Sequence, residues 1–353
     1  MLFGKKTQPL LGLDITTSSV KLIELSQSGK RYRVESYSAE PTPPSSVNEK
    51  AIVDAKAVGE AIRRAAKRAG AKATDVAVAI SGDAAITKVI QMPSSLSERD
   101  LEGQVEIQAD QYIPFPMEEV SFDYEVVGPN EKDPELMDVL LVATRTDNVD
   151  QRQSAVTAAG LATQVVDVEA FALENACQLM SHQVPDGGMG QTVAVVDIGA
   201  SSTTFSVLKD LKVIYTRDFN FVGQQLTEEI MRTYGLSIED AGRAKKQGVL
   251  PSNDQPEVLE PFIDDITQQV SRSLQFYLAS GGGREQPDII LVCGGCANIP
   301  GIADVISSRV GIPTEIGDPL GQMKISSKAK SQGVNKDATA LLTACGLALR
   351  SFD

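Results

Sequence analysis

The sequence holds one histidine, His182, no tryptophan and four cysteines in 353 residues. With a single histidine, no Ser-His-Asp or Cys-His arrangement is plausible at neighbouring positions. Cys293 and Cys296 form a C-x-x-C, but a zinc centre needs more ligands than these, and His182 lies in a linker. A thioredoxin-like pair would stand at a helix start. The two cysteines therefore read as structural thiols and His182 as a solvated residue. Four cysteines in so long a chain make no disulfide framework. A basic surplus is also missing: the net charge of −14 argues against a general nucleic-acid binder. The longest apolar-rich run, Ala338 to Leu349, is too short to span a bilayer and carries Thr339, Thr343 and Gly346. Met1-Leu2-Phe3-Gly4-Lys5-Lys6 is not followed by a long apolar core, so no secretory signal is expected. Neither a G-x-x-x-x-G-K-[ST] loop nor a G-x-G-x-x-G after a strand occurs. These absences together point to a cytoplasmic chain, long enough for two domains or two lobes.

What the chain does hold is a motif written twice. Val193 to Val207 reads as an apolar strand ending in Asp197, a turn of small residues, and a second alternating strand. Gly199 is expected to let the turn take a positive φ. The N–H groups and hydroxyls of Ala200, Ser201, Ser202 and Thr203 can line up on a phosphate, and Asp197 can hold a hydrated Mg²⁺ against it. Alone, this is equally a β-hairpin with an Asp in its turn. Leu10 to Leu25 repeats the grammar, with Asp14 at the strand end and Thr16, Thr17, Ser18 and Ser19 in the turn. Two copies, one in each half of the chain, suggest two similar domains facing each other across a nucleotide.

Between and after the hairpins the pattern is α/β. A strand is expected over 30–40 and a helix capped by Asp54 and ended near Gly70. A buried strand follows at Val76 to Ile80. This order is consistent with half of a ribonuclease-H-like domain. A Glu- and Gln-rich helix from Ser97, strands at Phe122 to Val127 and Val139 to Ala143, and a helix over 149–159 read as an inserted subdomain. The second half adds a strand at Val213 to Thr216, helices over 223–234, 238–248 and 257–280, and a loop from Pro251 to Pro256. Gly281-Gly282-Gly283 stops the last of those helices. A buried strand and glycine turn at Leu291 to Gly301 and a buried last helix, Ala338 to Leu349, complete the chain.

Two further places carry possible chemistry. Gly294 and Gly295 follow a buried strand, where a flat ring or ribose can approach the backbone; an ordinary strand-to-helix turn explains them as well. Asp167 and Glu169 stand at another strand-to-helix junction. They read as a capping pair, or as a base or water-orienting group near a γ-phosphate.

In this order, the two hairpins, the glycine turn and the helices at 167–180 and 338–349 resemble the superfamily of actin, heat-shock chaperones and sugar kinases. The insertion resembles the 1C subdomain of the cell-division protein FtsA. Gln108 to Pro116 with Glu118, Glu119, Val120, Asp123 and Tyr124, together with Asp138 to Ala143 and Val166 to Ala170, is similar to the PilM family of type IV pilus assembly. The resemblance covers essentially the whole chain.

That resemblance implies an actin-like ATPase fold of two lobes. Residues 1–85 and 162–190 would form the 1A core, 86–161 the 1C subdomain, 191–222 and 284–353 the 2A core, and 223–283 subdomain 2B. It implies ATP between the lobes, with phosphate contacts at Thr16, Thr17, Ser18, Ser19, Lys21, Gly199, Ala200, Ser201, Ser202 and Thr203. Mg²⁺ would be held by Asp14 and Asp197, mostly through water. Adenosine contacts would fall at Gly294, Gly295, Cys296 and Lys245, and Glu169 would be the catalytic candidate. Thr16 stands where such proteins usually have glycine, and a β-branched residue is ill suited to positive φ. Gly242 stands where an adenosine-contacting Glu is frequent, with Glu239 as a substitute. Both departures point to at most slow hydrolysis. The implied partner is the N-terminal cytoplasmic peptide of PilN, in a groove between 1A and 1C at the inner membrane face. The competing readings are a sugar or metabolite kinase, a filament-forming FtsA-like protein, and the cytoplasmic half of a type II secretion component.

Overall fold

The computed structural model describes residues 9–221, 223–247, 250, 255–281 and 285–353. The expectations at 1–6, and parts of those at 248, 251–256 and 281–283, lie outside them. Alternating apolar residues carry the chain out and back through β1 (Leu10–Ile15), β2 (Ser19–Ser28) and β3 (Arg31–Pro41), all antiparallel neighbours. A small hairpin, β4 (Val47–Asn48) and β5 (Ala51–Ile52), leads into α1 (Ala55–Ala69). Asp54 caps α1 by accepting from the Ala57 N–H, and Gly70 ends it in the left-handed region at φ 53°. β6 (Asp75–Ile80) then returns parallel to β1.

The insertion begins with β7 (Ala85–Pro93), which was not foreseen as a strand because its exposed Thr87, Lys88, Val89 and Gln91 blur the apolar pattern. α2 (Glu98–Ala109), β8 (Val120–Pro129) and β9 (Leu136–Arg145) follow, and β9 lies between β7 and β8. Leu101, Val105 and Ala109 of α2 close one face of that sheet over Ile90, Met92, Val139 and Leu141.

α3 (Thr146–Ala158) falls within the span expected for the insertion. It nevertheless buries Ala155 and Val156 against Val58, Ile62 and Val76 of the first domain, because these are its uncharged faces. β10 (Ala162–Val168) and α4 (Glu169–Leu179) complete the first half.

The second half starts with β11 (Thr192–Ile198), β12 (Thr203–Lys209) and β13 (Lys212–Phe219). α5 (Gly223–Tyr234), α6 (Ile238–Gln247) and α7 (Gln255–Ala279) follow, then β14 (Ile289–Cys293), α8 (Ile302–Val310) and β15 (Thr314–Ile316). The strand order is β13-β12-β11-β14-β15. Its outer face buries Phe205, Val207, Ile290 and Val292 under Leu226, Ile230, Ile266 and Val270 of α5 and α7.

The chain then crosses back. β16 (Lys324–Ile325) pairs with β3, so the first sheet reads β10-β6-β1-β2-β3-β16. α9 (Ser327–Ser331), α10 (Val334–Asp337) and α11 (Leu342–Leu349) pack on the same sheet, where Leu320, Val334, Leu341, Ala344 and Ala348 meet Ile23, Leu25 and Val34. The sequence grouped 284–353 with the second lobe; residues from 320 onward lie on the first. The reason is the all-round apolar character of α11, which needs cover on every side. α4 supplies that cover between the sheets: its Leu173, Ala176 and Cys177 also seal the second sheet at Val193, Val195 and Leu291. Gly12 and Gly346 allow the contact, since a Cβ on Gly346 would stand 1.7 Å from the Ala172 carbonyl oxygen.

Candidate functional site

The two repeated hairpins end at the cleft between the sheets. In the first, strand register sets Lys21 directly opposite Asp14, and Lys21 Nζ lies 2.7 Å from Asp14 Oδ2. Burial pulls the Lys21 pKa down, but Asp14 beside it and Asp197 across the cleft outweigh this and leave it raised. In the second, register aligns Asp197, Thr204 and Asp218 across three strands. Burial pushes the Asp197 carboxyl up to about 6; Lys21 opposes the shift and Asp14 adds to it. Lys21 and Asp14 thus both act on Asp197 from across the cleft.

A carboxyl raised from 3.8 to about 6 on folding binds protons more tightly in the native state. Its stabilising contribution is full below pH 3.8 and is lost as pH rises through 6. We expect the ligand-free protein to lose on the order of 2 kcal/mol from this group across that window. Urea unfolding from pH 4 to 7 checks it, and Asp197→Asn should flatten that part of the profile.

The turns depart from expectation in instructive ways. Gly199 does not take a positive φ. It is needed because a Cβ would stand 2.7 Å from the Ser202 carbonyl oxygen, to which the Gly199 N–H donates at 3.0 Å. Thr16 is likewise outside the positive-φ region. Its hydroxyl accepts from the Ser19 N–H at 3.1 Å and donates to the Ser19 carbonyl at 2.9 Å, so the β-branched residue latches its own turn. Thr42 donates to the Thr16 carbonyl at 2.7 Å and fixes the turn from outside. Thr17 and Ser18 complete it, with Ser18 exposed. Ala200, Ser201 and Ser202 are half-buried, whereas Thr203 is fully buried and donates to the Phe221 carbonyl.

The glycine turn meets the second hairpin. Gly294 sits at φ +92°, and a Cβ there would lie 2.5 Å from Asp197 Oδ1. Gly223 opens α5 against the same place: its N–H donates to the Gly199 carbonyl at 2.9 Å. Its own absent Cβ leaves room for Cys296 Sγ, and Lys245 Nζ reaches the Gly223 carbonyl at 2.8 Å. Gly199, Gly294, Cys296, Lys245 and Asp197 are thus brought together, with Gly295 beside Gly294. Glu239 is exposed in the first turn of α6. Six residues separate it from Lys245, which sets the two about 9 Å apart along the axis and on different faces. Glu239 therefore does not join this group, and the Cβ position of Gly242 faces open space. Cys177, Cys293, Cys296 and Cys345 are free and buried, and His182 is exposed.

Asp167 and Glu169 diverge. The helix N-cap is Val168, and no side chain caps it. Asp167 accepts from the Val168 N–H at 2.8 Å and faces Arg350, away from the cleft. Glu169 turns into the cleft and meets Lys50 Nζ at 2.9 Å, and the same ammonium lies 2.8 Å from Asp218 Oδ2. Burial raises the Glu169 pKa against the pull of Lys50.

Lys50, Asp218 and buried Arg152 were not singled out in the sequence. One signal was present: Asp218 lies in a strand that continues the register of Asp197. For Lys50 there was none, because it arrives from a hairpin of four paired residues. Arg152 fixes that hairpin by donating to the carbonyls of Lys50 at 3.1 Å and Ala79 at 2.5 Å.

Chemically, the cleft offers the carboxylates of Asp14, Asp197, Glu169 and Asp218, the largely covered ammonium groups of Lys21 and Lys50, and two turns of N–H and hydroxyl groups. Among the described residues no three His, Cys, Asp or Glu side chains converge to hold a metal by themselves. Asp14 and Asp197 fit a cation that takes its other ligands from water and phosphate. The Cβ positions of Gly199 and Gly294 are taken by the Ser202 carbonyl and by Ile198 and Asp197, so these glycines let the two turns pack on each other, whereas the Cβ position of Gly295 faces open space.

The model of the family described as type IV pilus assembly protein PilM matches residues 12–352. The structure titled "PilM-PilN type IV pilus biogenesis complex" is similar at a TM-score of 0.77 and 26% identity, covering 98% of this chain and 99% of that one. The ethanolamine utilization protein EutJ from Carboxydothermus hydrogenoformans has the same fold, with a TM-score of 0.55, 17% identity, and coverage of 96% and 89%. The cell division protein FtsA of Agrobacterium fabrum is 26% identical over 231 residues, 53% of this chain and 51% of FtsA. The chain therefore spans about half the length of the curated relatives it matches. No helix among the described residues is long and apolar enough to cross a membrane.

Proposed function

The chain belongs to the family of the type IV pilus assembly protein PilM, and from that premise we propose that it is a nucleotide-gated adaptor of the pilus assembly platform. It binds Mg²⁺-ATP in the cleft and the N-terminal peptide of PilN on the first lobe. The observation that carries the partner is the match, over nearly the full length of both chains, to a PilM–PilN complex. What supports the nucleotide is the Asp14–Lys21 pair with Asp197 across the cleft from it, each acid at the end of a strand that leads into a turn of small residues.

The N–H and hydroxyl groups of Thr16 to Ser19 and of Gly199 to Thr203 would receive the phosphates. Lys21 would add a point charge that Asp14 now shares. Asp14 and Asp197 would hold Mg²⁺ largely through water; when bound, it neutralises phosphate charge. Gly294, Gly295, Cys296 and Lys245 would border the adenosine. Glu169 is the cleft carboxylate placed to orient a water, and its bond to Lys50 is consistent with slow turnover. The protein would sit at the inner membrane face through PilN and its platform partners.

The test is equilibrium titration of a fluorescent ATP analogue with and without Mg²⁺. Saturable binding that weakens without the metal is expected. Binding absent under both conditions would leave a fold that has kept the cleft but lost its ligand.

A further inference from the structure

Lys50 is the side chain of the cleft that no sequence motif explains, and its backbone is unusual. Glu49 and Lys50 form the two-residue turn between β4 and β5 and sit at φ 44° and 68°. Such turns ordinarily take Asn-Gly, because residues with a Cβ resist the left-handed region. Strain of this kind persists only where the surroundings over-determine it. They do so here. Val47 and Ile52 anchor the hairpin in the first core, and the buried Arg152 guanidinium holds the Lys50 carbonyl.

The product of that strain is the position of one ammonium group. It lies between Glu169 at the head of α4 and Asp218 on β13 of the second sheet. Asp218 is held in turn by the Thr204 hydroxyl at 2.6 Å. Lys50 is four-fifths buried, so water screens these contacts far less than it screens a surface pair.

We propose that Lys50 is a latch across the cleft and the positioning residue for Glu169. In the ligand-free protein it ties the first lobe to β13, holding the lobes together, and keeps the Glu169 carboxylate committed to an ion pair. The regulatory half of this idea rests on the nucleotide reading. A polyphosphate entering beside Asp197 competes with Asp218 and Glu169 for the ammonium. Loss of the two contacts then frees Glu169 for a water and hands the bridge between the lobes from Lys50 to the nucleotide.

The test is the interlobe distance in the protein without ligand. The four native cysteines are buried, so spin labels on exposed Lys67→Cys in α1 and Glu315→Cys in β15 react selectively. Lys50→Met should shift the distance distribution to longer values, Asp218→Asn should do the same, and Lys50→Arg should restore the original. If Lys50→Met and Asp218→Asn both superpose on the parent, the latch is overturned. Adding Mg²⁺-ATP should bring the distributions of the parent and of Lys50→Met together, because the nucleotide held from both hairpins then spans the cleft in place of the latch. A shift in the variants that Mg²⁺-ATP leaves unchanged would uphold the latch and count against the nucleotide reading instead.

Discussion

Gly346→Leu is expected to abolish the folded protein. Gly346 lies at the crossing of α11 and α4, where even a methyl group would stand 1.7 Å from the Ala172 carbonyl oxygen and 2.5 Å from its carbon. Both are backbone atoms, so no rotamer change relieves the overlap. The helices cannot simply part, because α11 is pressed from behind by β1: a Cβ on Gly12 would meet the Ala344 carbonyl oxygen at 2.0 Å. α4 is held from the other side by the second sheet through Leu173, Ala176 and Cys177. Overpacking in a yielding core costs about 1–3 kcal/mol, and this site cannot yield. Gly346→Ala should already lower the urea midpoint severely, and Gly346→Leu should yield no native fraction by circular dichroism. A Gly346→Leu protein with an unchanged midpoint would mean that the two helices do not cross as described.

Lys21→Met should be the most damaging substitution in the cleft itself. It leaves Asp14, 8% exposed, without its cation. Removing one partner of a buried ion pair costs about 3–5 kcal/mol, because the other charge stays behind in a poor solvent. Asp14→Asn combined with Lys21→Met should recover most of the lost stability without recovering nucleotide affinity, which we expect to fall roughly a hundredfold. Chemical denaturation of the single and double variants, with titration of a fluorescent ATP analogue, separates the two effects. If the double variant is no more stable than the single, the Asp14–Lys21 pairing is not what Lys21 contributes.

Much of this was legible in the sequence, for identifiable reasons. The hairpins at Asp14 and Asp197 are local objects: apolar alternation, an acid and a small-residue turn lie within sixteen residues of each other. The α1 helix announced itself through Asp54 and Gly70. The family was legible because its motifs run through the whole chain, and the family model matches residues 12–352. What the sequence hid was non-local. The return of residues 320–353 to the first sheet depends on a helix that is apolar on all sides, a pattern that names burial but not against what. The two-residue β16 has no periodicity to detect. Gly199 was assigned to the right turn for the wrong reason, since close approach to Ser202 rather than positive φ requires it. Lys50 was invisible because its importance comes from three segments far apart in sequence and from a turn made by residues that ordinarily avoid it.

As the proposed nucleotide-gated adaptor, the chain would couple its cleft to the surface that takes the PilN peptide. Calorimetric titration of the N-terminal PilN peptide, with and without Mg²⁺-ATP, tests it most directly. Binding is expected whose affinity changes when the nucleotide is present, because lobe position and peptide fit would be set together. Peptide binding that is identical in both conditions, or absent in both, would contradict it.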